Sequence, residues 1–184
     1  MEILDYILHI DKYLETILND YQNWFYLILF LLIFIETGLV VMPFLPGDSL
    51  LFAAGMLAAA FPDQLNIYIV LGLLWIAAIA GDTVNYTIGK TLGAKLVTAK
   101  IFGKRIIKDS AIQKTEDFFT KYGSKTIVIA RFVPIVRTLA PFVAGISKMH
   151  YGTFIKYNFI GGTVWVFGIT SVSYTHLRAH ETGR

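Results

Sequence analysis

Apolar residues run along this chain in blocks too long and too uniformly apolar to be one face of a soluble helix. Residues 24–42, WFYLILFLLIFIETGLVVM, are long enough to span a bilayer, and Trp24 and Tyr26 suit an interfacial position at its start. Residues 43–61 are equally apolar but open on Pro43, Pro46 and Gly47. Proline removes a backbone donor and glycine relaxes the chain, so this block predicts a re-entrant hairpin. The polar turn FPDQLN (61–66) follows, then IYIVLGLLWIAAIA (67–80), a span continuing through Gly81 toward Tyr86. Two shorter helices are expected near 89–102 and 110–122. Residues 125–147 form a second apolar block, broken by Pro134 and Pro141, and 153–170 read as a further span. Ahead of them, Ile3, Ile7, Ile10, Leu14 and Ile17 recur at helical spacing among acids. That pattern predicts an N-terminal amphipathic helix at the membrane surface, or a cap helix packed on the bundle. The fold class is an all-α polytopic membrane protein, with one membrane domain over residues 1–171.

From about Val172 the pattern stops. VSYTHLRAHETGR has neither apolar periodicity nor span length. It resembles translated adapter or vector sequence, so residues 172–184 are read as a non-native tail, with the natural C-terminus expected to be missing. His176 and His180 stand four apart there without a third ligand, which is too little for a metal site.

Composition agrees with the pattern: 55% of the 184 residues are hydrophobic, 16% are charged, and mean hydropathy is +0.60. There is no cysteine, so disulfides and thiolate metal sites are excluded. The acidic start, MEILDYILHIDKYLETILND, is unlike a cleaved signal peptide. Charge is unevenly placed. Lys12 is the only basic residue before position 90, whereas nine lie between 90 and 125. A basic stretch between apolar spans is the positive-inside signal and places 90–125 in the cytoplasm; nucleic-acid binding, the other reading of such a cluster, fits poorly beside spans.

The two interrupted blocks are alike. FLPGDSLLFAAG (44–55) aligns with FVPIVRTLAPFVAG (132–145), with Phe-x-Pro opening and Phe-x-Ala-Gly closing each. Paired interrupted segments in corresponding halves mark the substrate site of many transporters. Four ionisable residues fall inside these blocks and the run before them: Glu36, Asp48, Arg131 and Arg137. Asp82 and Lys156 are expected nearer span ends, within reach of water. Four isolated charges near the bilayer centre would cost roughly 10 kcal/mol or more. Two acids and two bases cancel, which predicts a shared polar cavity. Breaks at Pro134 and at Pro43–Gly47 let each pair turn into one site, and broken helices offer free N–H groups to an anion. The competing reading is internal salt bridges that tie the hairpins together, or snorkelling to an interface.

FIETG (34–38), PFLPGDSLLFAAG (43–55), GDTVNYTIGKTLG (81–93) and RFVPIVRTLAPFVAGISKM (131–149) resemble the signature blocks of the DedA family, also called SNARE-associated or VTT-domain proteins of the bacterial inner membrane. The resemblance covers residues 1 to about 170. It implies two facing re-entrant hairpins among transmembrane helices and a flippase role for membrane lipids such as undecaprenyl phosphate or phospholipids, with proton coupling in some relatives. It places the family's functional acids on Glu36 and Asp48, and its functional arginines on Arg131 and Arg137. A further C-terminal span that the family would carry is absent here.

On this reading Arg131 and Arg137 bind the headgroup phosphate, while Glu36 and Asp48 neutralise them in the empty site and take up protons as the anion arrives. Asp82, Asn85 and Tyr86 are expected to line the cytoplasmic end of a span, a polar lining to the lipid path being their functional reading. The partners are anionic lipid headgroups and protons, not nucleic acid; a homo-oligomer is compatible, and no cofactor or metal is implied. The runner-up is a proton- or cation-coupled exporter of small solutes that uses the same acids. A scaffold for envelope assembly would need neither broken helices nor embedded charge. GKT (89–91) is not a phosphate-binding loop, because the glycine it requires five residues earlier is Val84. Gly89 and Gly93 give a spacing that permits close helix contact. Trp24, Trp75 and Trp165 read as anchors or packing; His9 and His150 need no catalytic role, and no enzyme is expected.

Overall fold

The computed structural model describes residues 10–39, 47–101, 104–105 and 107–182. It is helical apart from a two-residue antiparallel ladder. The order is α1 (Ile10–Gly38), α2 (Gly47–Ala60), α3 (Ile67–Thr98), β1 (Lys100–Ile101), β2 (Lys104–Arg105), α4 (Asp109–Tyr122), α5 (Thr126–Ile129), α6 (Pro134–Ile146) and α7 (Tyr151–Thr182). Single 3-10 turns flank α5 at Gly123–Lys125 and Ala130–Phe132.

Helix α3 is the axis of the molecule. Its 32 residues make it about 48 Å long, more than the ~30 Å hydrocarbon core. Among the described residues it is the one helix long and apolar enough to cross a membrane. The apolar helices 23–38, 48–60 and 136–146 are shorter. Asn66 caps α3, accepting from Tyr68 N at 2.9 Å, and its own N–H donates to Tyr26 Oη at 3.0 Å. The expected helix at 89–102 is therefore not separate: residues 89–98 continue α3. Gly89 and Gly145 account for this. A Cβ on Gly89 would stand 2.1 Å from Phe142 O, and one on Gly145 2.2 Å from Tyr86 O. The backbones of α3 and α6 thus touch directly, and that contact holds the helix past the predicted break.

Other boundaries also moved. From Ile10 onward the expected surface helix is the first part of α1, while residues 3–9 lie outside the described residues. So does the break expected at Pro43 and Pro46. Pro134 does interrupt its block: Val133 is extended (φ −121°, ψ 103°) and Pro134 opens α6 at N1. Pro141 does not, and α6 continues through it at the loss of one backbone bond. Helix α7 runs unbroken from Tyr151 to Thr182. Ser173 Oγ donates to Phe52 O, so the start of the polar tail sits against α2.

Packing crosses between the two halves. α2 lies on α7 and α6 lies on α3, while α1 packs on α3. One core gathers Ile33, Leu51, Leu74, Ala77 and Trp165 from α1, α2, α3 and α7. A second surrounds Tyr86, Val136 and Phe154, and a third joins Phe142 and Leu139 to the amphipathic α4. Large apolar side chains such as Leu31, Ile76, Phe159 and Phe167 face outward, as lipid-facing residues do.

Candidate functional site

Each helix delivers its polar residues on one buried face. On α1, Ile33, Glu36 and Thr37 share a stripe at helical spacing, and Glu36 is 5% exposed. On α3 the stripe is Ala78, Asp82, Asn85, Tyr86 and Gly89. On α7 it is Asn158, Gly161, Gly162 and Trp165. The stripes converge where α6 begins.

Arg137, in the first turns of α6, reaches two carboxylates from the other half of the chain. Its Nη2 lies 3.4 Å from Glu36 Oε1 and its Nη1 donates to Asp48 Oδ1 at 3.2 Å. The guanidinium carbon stands 3.9 Å from the centre of the Trp165 ring, in cation–π contact. Trp165 Nε1 donates to the same Asp48 Oδ1 at 2.7 Å. Asp48 is the open edge of the cluster, with its side chain 58% exposed against 9% for Arg137.

Arg131 projects from the 3-10 turn ahead of α6. Its Nη2 donates to Asp82 Oδ2 and, at 2.6 Å, to Asn158 Oδ1. Asn158 Nδ2 in turn donates to Ile79 O at 3.1 Å. The Arg131 shaft lies along Gly161: a Cβ there would be 3.0 Å from Nε. Its guanidinium carbon is 5.7 Å from the Trp165 ring, so one indole adjoins both arginines. Arg131 Nε and Arg137 Nη2 are buried without a hydrogen-bond acceptor among the described residues.

Asn85 is wholly buried and bridges two helices. Its Nδ2 donates to Thr37 O (3.0 Å) and Thr138 O (2.9 Å), the residues directly after Glu36 and Arg137. It fixes the backbone on both sides of that ion pair. Tyr86 stacks on Phe154 (centroids 4.4 Å apart) and donates to Met149 O, tying α3 to the start of α7. His150 Nδ1 accepts from Gly152 N at 3.2 Å and so caps α7.

Glu36, Asp48 and Arg137 are thus brought together, and Arg131 is adjacent. Asp82 departs from expectation. It is 5% exposed and paired with Arg131, where water access near a span end was expected. Asn85 and Tyr86 are buried interhelical ties. The cluster therefore holds three carboxylates against two guanidiniums, not two against two. Trp165 and Asn158 were missed. A lone Asn and a Gly-Gly pair, at helical spacing with a Trp inside an apolar run, were the available signal. Among the described residues no group of His and acidic side chains could hold a metal.

The VTT domain family matches residues 45–175, which include every member of the cluster except Glu36. The protein DedA of Escherichia coli K12 is 52% identical over 172 residues, covering 94% of this chain and 78% of that protein. An uncharacterized membrane protein of Mycobacterium tuberculosis H37Rv is 39% identical over 144 residues (78% and 62%). The inner membrane protein YqjA of E. coli K12 is 33% identical over 165 residues (87% and 71%). No solved structure matches the chain.

Proposed function

The chain belongs to the VTT-domain (DedA) family of membrane proteins, and on that premise we propose that it carries the phosphate headgroup of a membrane lipid across the bilayer. One observation carries the proposal. Arg137 is held between carboxylates of the opposite half, and the buried Nε of the neighbouring Arg131 has no hydrogen-bond acceptor among the described residues. Apolar packing stabilises a fold better than buried ion pairs do, so charge kept at such a place argues for a task. Guanidiniums gathered at such a place argue that the task involves an anion, and a guanidinium fork suits phosphate oxygens.

In this mechanism Asp48, the exposed carboxylate, leaves Arg137 and a headgroup phosphate takes its place. Arg131 supplies a second positive charge near the same ring, at the inner end of the cluster. The carboxylates already outnumber the guanidiniums, so an arriving anion adds negative charge that protons on Glu36 or Asp48 balance. The short helices α2 and α6 serve as inner arms of two facing re-entrant hairpins in a multi-pass protein. Residues 13 or fewer in their apolar parts reach about 20 Å, too little to cross. The basic stretch 90–125 then lies in the cytoplasm of an inner-membrane protein. Lipid tails stay in the bilayer while the headgroup crosses.

Reconstitution in proteoliposomes over a panel of headgroups, with and without a proton gradient, tests this. Flipping that requires the phosphate and is lost in both Arg131→Ala and Arg137→Ala supports it. Unchanged flipping by both folded variants overturns it. Flux of a small cation without lipid movement would instead favour a coupled solute exporter using the same acids.

A further inference from the structure

Nothing in the arginine–carboxylate pattern assigns a role to Trp165, yet it touches Asp48, the exposed edge of the cluster, and the Arg137 guanidinium behind it. We propose that Trp165 is itself a headgroup-contacting residue. Its indole N–H, given to Asp48 in the empty site, becomes a donor to a phosphate oxygen, while its ring holds the Arg137 fork in place. The proposal rests on the phosphate reading above and names a second recognition element for it.

The geometry is that of an anion already seated. A single oxygen, Asp48 Oδ1, accepts from Arg137 Nη1 at 3.2 Å and from Trp165 Nε1 at 2.7 Å. The two donors come from α6 and α7, so the position of the oxygen is defined by two helices and not by Asp48's own. The carboxylate stands where a phosphate oxygen would. Asp48 belongs to the first turn of α2 and is mostly exposed, whereas the rest of α2 is anchored to α7. Phe52 O accepts from Ser173 Oγ, and a Cβ on Gly55 would lie 2.7 Å from Thr170 O. The side chain is therefore free to swing out by rotation while the helix stays.

Trp165 cannot move in the same way. It is fully buried, among the largest such side chains of the described residues. A buried N–H left without an acceptor is costly, so whatever displaces Asp48 must offer an oxygen acceptor at that point. This turns the indole into a filter. A headgroup with a charged acceptor oxygen satisfies Trp165 and Arg137 together. A neutral or cationic headgroup brings no negative charge to Arg137, and Asp48 returns. The alternative is that Trp165 only orients Asp48 and never meets ligand.

The two are separable by working where Asp48 is already gone. Binding of dihexanoyl phosphatidic acid to the detergent-solubilised chain is measured for the parent, Trp165→Phe, Asp48→Ala and the double variant, with dihexanoylglycerol as the neutral control. Phenylalanine keeps a ring beneath Arg137 and removes only the N–H. We expect Trp165→Phe to weaken binding about tenfold, in the parent and equally in the Asp48→Ala background, because a hydrogen bond to a charged group is lost. No weakening in the Asp48→Ala background means that the indole merely orients Asp48, which overturns this inference and leaves the phosphate reading standing. A parent that does not bind the phosphatidic acid at all overturns the phosphate reading and this inference with it. Should Trp165→Phe fail to fold, Trp24→Phe/Trp75→Phe leaves Trp165 as the sole tryptophan. Its emission should then change saturably with the phosphatidic acid and not with the neutral control; unchanged emission at saturation overturns the proposal.

Discussion

Arg131 and Asp82, 49 residues apart in the chain, meet as a buried ion pair that joins α3 to the turn ahead of α6. With side chains 3% and 8% exposed, neither charge has water to fall back on. Removing one partner strands the other. Asp82→Leu or Arg131→Met alone should each cost about 3–5 kcal/mol. The apolar double variant Asp82→Leu/Arg131→Met should recover much of that loss. Unfolding of the four proteins in detergent gives the cycle, and additive single costs would show that the pair is not coupled.

Arg137 should not tolerate lysine. A lysine keeps the charge but gives up the planar fork that spans Glu36 and Asp48 and the stacking on Trp165. Arg137→Lys is expected to remain folded with transport reduced at least tenfold. Comparing headgroup flipping with the thermal midpoint of the same preparation checks both halves of the statement.

Asn85 ought to act on activity through position alone, since it touches the backbone beside Glu36 and Arg137 but neither side chain. Asn85→Ala deletes two buried hydrogen bonds and leaves Thr37 O and Thr138 O without that donor. A loss of about 2–4 kcal/mol is expected. Denaturant unfolding measures it, and a loss under 1 kcal/mol would mean that the helices hold their spacing without Asn85.

Gly89→Ala should disrupt assembly out of proportion to one methyl group. Its Cβ would be placed 2.1 Å from Phe142 O, so α3 and α6 must part. The expected cost is about 3 kcal/mol or more, against a gain of under 1 kcal/mol for the same change on an open helix face. Gly72, with nothing near its Cβ, is the control: Gly72→Ala should be neutral or slightly stabilising.

Three carboxylates facing two guanidiniums set the sign of the pH dependence. If an arriving anion is balanced by proton uptake, binding must weaken as pH rises, by about one decade per pH unit for each proton taken up. Titrations with a short-chain phosphatidylglycerol, whose own charge is constant near neutrality, measure the slope. Glu36→Gln should flatten it if Glu36 is the acceptor, and a flat parent would remove proton coupling from the mechanism.

What could be read without coordinates followed from local rules. Block length and uniform apolarity announced an all-helical membrane protein, and Pro134 announced the break before α6. The expense of charge in lipid singled out Glu36, Asp48, Arg131 and Arg137 before any distance was known. Pro141 misled because one missing donor inside a well-packed helix is tolerated. The break forecast near residue 89 failed for a related reason: Gly89 and Gly145 stabilise α3 through contact with α6, a partner 56 positions away that no local window contains.

Which charge meets which was beyond the sequence. Alternation and spacing assign a residue to a face, but pairing depends on which helices cross. Here α6 lies on α3 and α2 on α7. That crossing gives Arg137 to Glu36 and Asp48, sends Arg131 to Asp82 and Asn158, and sets Trp165 beside both arginines. Composition thus dictated that the charges be compensated, since lipid leaves them no solvent. Long-range packing alone chose the partners, because the energy of an ion pair depends on distances that chain order does not set.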